Sequence, residues 1–251
     1  MFKKVSKKVI SKALSIINVV MSISGFVPQH MTLFRSFIMF GSVLATTFLL
    51  PMCRSMNYAI IYFAFSAILY TGFVFLVLPE RGYRLKMIKK FGEQRAYLKY
   101  EAFLAFAFFH NGVVLSFISY TSADSSFYEN IPVNVTMIIA AVLFIIGLSV
   151  KIWSAYVVGV PIYYWKDLFL GRRICDFVVS GPYKYLANPM YGIGQVQGYA
   201  IAIYYHSIYG IIFGAVNQGL VFLFYFLVEK PFIYRTYLQN KIQSEPNNLV
   251  K

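Results

Sequence analysis

Acidic residues are scarce in this chain: 9 Asp and Glu stand against 23 Lys and Arg, and charged residues make up only 13% of its 251 positions. So little charge cannot solvate a globular surface. With 59% hydrophobic residues as well, the composition excludes an ordinary soluble domain and indicates a polytopic membrane protein. Cysteine is nearly missing. Cys53 falls at a membrane edge and Cys175 in a basic loop, which argues against a disulfide framework. His30, His110 and His206 are scattered over an interfacial segment, a span and a far-side turn, so no shared metal site follows from them. Also missing are a Gly-rich phosphate loop and a serine in a nucleophile-elbow pattern. The formal charge of +14 does not point to nucleic acid, because no basic stretch carries a stacking surface or a fold motif for it.

Long uncharged runs are abundant. Four suffice for a crossing of about 20 apolar residues: Ser36 to Cys53, Ser55 to Pro79, Ala102 to Ser122 and Ile131 to Val150. A fifth stretch, Leu186 to Val228, has no charged residue and is long enough for two crossings, with Tyr205, His206 and Ser207 as the natural hairpin turn. The sequence thus predicts an all-α bundle of about six spans ending in a helical hairpin. Its divisions are an amphipathic, interfacial N-terminal segment 1–35, N-terminal spans 36–130, a core 131–242 and a polar tail 243–251. The segment 1–35 has a basic head and an apolar body without a convincing cleavage site, and reads as retained.

Lys and Arg alternate between loops. They crowd the N-terminal segment, the loop from Arg81 to Lys99, the stretch from Lys151 to Lys184 and the C-terminal tail, whereas the loop Thr121 to Asn130 holds only Asp124 and Glu129 as charges. By the positive-inside rule both termini and the loop 166–187 face the cytosol. Attraction to anionic lipid accounts for the remaining positive charge.

The least generic stretch is Ser180 to Gly192, SGPYKYLANPMYG. Pro182 and Pro189 each remove a backbone donor and push the preceding residues, Gly181 and Asn188, towards extended geometry. A stiff loop is expected, followed by a helix from about Met190 with Asn188 near its N-cap; such an end offers N–H groups to an anion. An ordinary helix entry with interfacial tyrosines explains the same residues. Trp153, Tyr156, Tyr163, Tyr164 and Trp165 read first as an aromatic belt at headgroup level, and second as rings lining a site for a cationic group. His110 and Asn111 read as polar glue between helices. Glu229 is the first charge after Lys184, on the same membrane side as the Ser180 to Gly192 loop; it is either a plain charged helix end or a carboxylate able to take a proton from an ammonium. Asp167, beside Lys166, reads as a simple ion pair.

Two motifs read together give a resemblance. SGPYKYLANPMYG resembles the G-P-Y-x-Y-x-x-N/H-P-x-Y signature of the integral-membrane methyltransferases, which include the isoprenylcysteine carboxyl methyltransferases and the phospholipid N-methyltransferases. Val228 to Lys241, VEKPFIYRTYLQNK, is similar to the E-E-P-F-x-x-x-x-Y segment of the phosphatidylethanolamine N-methyltransferases. The resemblance implies S-adenosyl-L-methionine held at the cytosolic face between these segments. Carried over by position, Tyr183, Asn188, Pro189, Met190 and Tyr191 border the cofactor, and Cys175, Asp176, Phe177 and Val178 form a preceding strip of backbone contacts. Glu229 corresponds to the first acid of the pair and is the implied base or ammonium orienter. Lys230 replaces the second acid, Ala187 stands where many relatives have arginine, and Gly147 and Ser149 stand where a small-x-small cofactor contact lies. The implied reaction methylates the amine of a phosphatidylethanolamine-type phospholipid drawn from the bilayer, without metal. The implied membrane is the endoplasmic reticulum in a eukaryote or the inner membrane in a bacterium. A prenylated cysteine carboxylate as acceptor, a sterol-type reductase and a non-enzymatic bundle remain as alternatives.

Overall fold

The computed structural model describes residues 2–124 and 131–239, with side chains from residue 10 onward. Glu129, Lys241 and the tail 243–251 lie outside the described residues. No strand occurs among the described residues, and eight helices carry the architecture: α1 (Phe2–Ile23), α2 (Leu33–Cys53), α3 (Met56–Val77), α4 (Arg84–Phe91), α5 (Glu93–Thr121), α6 (Val133–Val158), α7 (Val196–Tyr204) and α8 (Ile208–Gln239). Five of them, α2, α3, α5, α6 and α8, are long and apolar enough to cross a membrane. The protein is an integral membrane bundle. Apolar residues on its outside face lipid instead of water, most plainly on α2, where Leu33, Phe34 and Phe37 are 93%, 72% and 78% exposed.

The first arm of the hairpin differs from the expected full-length span. A 3-10 turn, Ile193–Gln195, leads into α7, which has nine residues. The arm nevertheless follows α6 closely. A Cβ added to Gly194 would meet Lys151 Cβ at 3.4 Å, one on Gly147 would sit 2.5 Å from Gln197 N, and His206 Nε2 lies 2.7 Å from Thr136 Oγ1. Fifteen residues of α6 separate Lys151 from Thr136, about 22 Å at the rise of an α-helix. Gly147 is therefore the close-approach point of α6 and α7. The turn at Tyr205 to Ser207 joins the arms as the sequence indicates, with Ser207 Oγ accepting from Gly210 N at 2.8 Å to cap α8.

α8 continues ten residues past Glu229, so that carboxylate does not stand at a helix end. Pro231 offers no N–H to the carbonyl four residues before it, and wider π-helical turns flank it at Tyr225–Glu229 and Tyr234–Gln239. At this end of the bundle short polar ties hold the loops. Arg84 Nη1 donates to Phe169 O at 3.0 Å, Arg172 donates twice to Glu93 at 2.7 Å, and Arg235 pairs with Glu80. Gly171 (φ +70°) packs face-on to the Arg84 guanidinium, where a Cβ would come within 2.8 Å.

The core is richest in aromatics just inside this end. Tyr100 stacks on Phe169 with ring centroids 4.8 Å apart, and Phe108 touches Tyr163, Tyr164 and Trp165. The aromatic run thus divides. Trp153 and Tyr156 stay exposed as a belt requires, whereas Tyr163, Tyr164 and Trp165 turn inward after Gly159 (φ +82°) ends α6.

Candidate functional site

The Ser180 to Gly192 segment folds as a compact loop, with two departures from expectation. Gly181 adopts φ +61°, a left-handed conformation open to glycine, and a Cβ there would also stand 3.0 Å from Val157 and 3.1 Å from Trp153. Regular helix begins at Val196 and not near Met190, so Asn188 is no N-cap; its carbonyl accepts from Gly192 N at 2.9 Å, and Pro189 O accepts from Gly194 N at 2.8 Å. These closed turns present Met190 and Tyr191 to the interior. Gln218 of α8 fixes them by donating to Tyr191 O at 2.8 Å, and is itself held by Tyr199.

A cavity of about 360 Å³ lies between this loop, the strip 175–179 and the last part of α8. Of the residues carried over, Cys175, Asp176, Phe177, Val178, Tyr183, Asn188, Met190, Tyr191, Glu229 and Lys230 line it. Pro189, Gly147 and Ser149 do not. Pro189 is buried under the loop, Gly147 is consumed by helix packing, and Ser149 points outward. The cavity lining also includes Asp167, Tyr225 and Tyr237, which the sequence does not single out for it, and Trp165, one of the rings whose second reading is a site for a cationic group.

Hydrogen bonds connect the polar groups. Trp165 Nε1 donates to Tyr191 Oη at 3.2 Å, and Tyr191 Oη donates to Glu229 Oε2 at 2.7 Å. Trp165 is held at φ +52°, an uncommon backbone for so bulky a residue, which is the local strain that aims its indole at Tyr191. Asp167 is a correction: it is buried and makes no ion pair among the described residues, its Oδ1 accepting from Leu168 N at 2.8 Å and its Oδ2 from Tyr237 Oη at 2.9 Å. Burial pushes its carboxyl above the usual range, and the bonds from Tyr237 and Leu168 pull partly the other way. Burial likewise raises the Tyr191 phenol, and the Glu229 charge raises it further, so Tyr191 stays a donor. The Tyr183 hydroxyl is buried without a partner among the described residues. Lys230 is exposed, its ammonium 5.5 Å from the Phe226 ring centre. Asp176 pairs with Arg173.

A second cavity, about 520 Å³, lies deeper in the bundle, among α2, α5, α6 and α7. Trp165, Met190 and Tyr191 line both cavities and form the wall between them.

An integral membrane bundle whose two cavities adjoin at one wall is a fold suited to bringing a lipid-phase and a water-phase molecule together. Residues 135–240 match the family model described as phospholipid methyltransferase, which supports a membrane methyltransferase of that type. The match covers α7, α8, the loop and nearly all of α6. No curated protein and no solved structure matches the chain.

The residues of the first cavity fit S-adenosyl-L-methionine. Its volume lies within the usual range for small-ligand pockets. The Asp167 carboxylate on the cavity wall suits the ammonium of the amino-acid part. Aromatic faces of Trp165, Tyr183, Tyr191 and Tyr225 suit a sulfonium. The unpaired Tyr183 hydroxyl is a buried polar atom that a ligand can satisfy.

Proposed function

We propose that this protein transfers a methyl group from S-adenosyl-L-methionine to the amine of a phosphatidylethanolamine-type phospholipid, with the donor cavity open to the cytosol and the acceptor entering from the bilayer. The carrying observation is the shared wall: Glu229 is tied through Tyr191 to Trp165, and Tyr191 borders both cavities. The bound donor supplies a methyl group on a sulfonium. The protein's own work is alignment, exclusion of water and removal of one proton. The acceptor ammonium must lose that proton before its nitrogen pair can form the new C–N bond, and we assign the proton to Glu229, whose carboxylate stands on the donor side of the shared wall at the Tyr191 hydroxyl. Tyr191 holds Glu229 in position and stays protonated while doing so. Trp165 and Tyr191 present ring faces to the cationic methylated product. The basic loops at this end support a cytosolic orientation.

Purified protein in phosphatidylethanolamine vesicles, given methyl-labelled S-adenosyl-L-methionine, is expected to label the headgroup amine. Absence of label there, with label appearing in a farnesylcysteine carboxylate offered in parallel, would replace this acceptor with the other; absence from both would remove the activity.

A further inference from the structure

The second cavity contains a feature that the donor site does not explain. Lys151 lines it, and among the described residues no other Lys, Arg, Asp, Glu or His side chain does. Read as part of a basic loop, Lys151 instead sits inside α6, seven residues before its end and hence about 10 Å along the axis. A lysine so placed is costly unless it meets an anion or reaches the headgroup level. Among the described residues Lys151 has no ion pair and no hydrogen bond. The surrounding polar groups, Asn111, Gln195 and Gln197, are neutral. The cavity also borders the bilayer, since Phe144 lines it while 42% exposed on the lipid-facing side of α6.

We propose that this cavity is the acceptor site and that Lys151 is its anion anchor, pairing with a phosphodiester or carboxylate oxygen of the lipid headgroup. The inference rests on the methyltransferase reading for the word acceptor, although the binding itself does not depend on it. Lys151 is the one Lys or Arg facing this cavity among the described residues, so an anionic headgroup gains a charge-assisted contact there that a neutral lipid cannot make. Anchoring the anion beside the Pro189 to Gln195 turn leaves the rest of the headgroup against Trp165 and Tyr191, the wall shared with the donor cavity. In a phosphatidylethanolamine the amine is two carbons beyond the phosphate ester oxygen, and that short bridge reaches the wall only if the phosphate is held close to it. Lys151 is thus a specificity-determining binding residue for headgroups that carry an anion near the methylated atom.

Trp165 lines the cavity and reports on it. In Trp153→Phe protein in neutral detergent, phosphatidic acid with brominated chains is expected to quench Trp165 at a half-point at least about tenfold below that of brominated diacylglycerol. Lys151→Met should erase the difference, and Lys151→Arg should restore most of it. Equal quenching by the two lipids in wild-type protein, or an unchanged preference in Lys151→Met, would overturn the anchor. In activity measurements, Lys151→Met should raise KM for the anionic acceptor about tenfold and leave KM for the methyl donor unchanged. The effect should appear with phosphatidylethanolamine if the anion is a phosphate, with farnesylcysteine if it is a carboxylate. A neutral-tailed amine such as oleylamine should be indifferent to the change; an equal loss for oleylamine would make Lys151 structural. Quenching that discriminates as expected, with no methylation of any acceptor, would sink the methyltransferase chemistry and leave the anion site standing.

Discussion

The two ends of the bundle solve the same problem in opposite ways. At the far end, the Tyr205 to Ser207 turn is sealed: Asp124 N donates to Tyr205 O at 3.1 Å, Ser122 Oγ meets Ser207 Oγ at 2.6 Å and Thr136 Oγ1 meets His206 Nε2 at 2.7 Å. These side chains satisfy one another at close range. At the other end polar groups are brought in and left with capacity to spare: a glutamate in the last helix, an aspartate under the loop, a tyrosine hydroxyl without a partner, and a lysine in the adjoining cavity. Buried polar groups destabilise unless partnered, so the contrast supports the proposal that the second end is the one that takes ligands.

Substitutions sharpen that contrast if losses of activity and losses of stability separate between the ends. The largest effect is expected for Glu229→Gln, which keeps shape and removes the proton acceptor: methyl transfer should fall by about 100-fold or more while the protein inserts and folds. Label transfer at wild-type rate would make Glu229 a structural group. Next is Gly147→Leu, where the added side chain must displace the Gln197 backbone. Overpacking should cost about 1–3 kcal/mol, read as a lowered thermal midpoint in detergent, and no midpoint change would contradict the close contact of α6 and α7. Tyr191→Phe removes the hydroxyl that links Trp165 to Glu229: methyl transfer should fall about tenfold, together with a lowered midpoint, since one hydrogen bond to a charged group is worth about 1.5–3 kcal/mol. The smallest effect is Thr136→Val at the sealed end: a stability loss of about 1 kcal/mol and no change in rate. A rate loss there equal to that of Tyr191→Phe would erase the distinction between the ends.

The membrane architecture was legible in the sequence because charge avoids the hydrocarbon so strictly; four charge-free runs, the second arm of the hairpin and its turn correspond to what the chain forms, whereas the first arm holds only a nine-residue helix. His110 and Asn111 are the cross-helix glue they were read as, His110 Nδ1 meeting Tyr62 Oη at 2.6 Å and Asn111 Nδ2 donating to Asn217 Oδ1 at 2.9 Å. The proline-tyrosine loop was legible as a special place, though its backbone was not. Pro189 sets the turn without starting a helix, because Gly192 and Gly194 allow the chain to close on Asn188 and Pro189 first.

Side chains with two physical readings were the ones missed. Trp165 shares composition and position with a membrane belt, and only the chain reversal after Gly159 turns it inward. Asp167 is adjacent to a lysine in sequence and bonded to Tyr237, 70 residues away, in space. Lys151 was counted with loop charges because nothing local distinguishes a lysine at the end of a span from one inside it; α6 simply continues to Val158. Gly147 shows the reverse error, a small residue matched to a cofactor contact and used for packing.

Photo-crosslinking with an azido-adenosine analogue of S-adenosyl-L-methionine, followed by peptide mapping, puts the donor cavity to the most direct trial. Saturable labelling confined to peptides from 175–191 and 225–238, and competed by unlabelled S-adenosyl-L-methionine, is expected. Saturable labelling on α2, α3 or the sealed turn at 205–207, with these two segments unmarked, would contradict it.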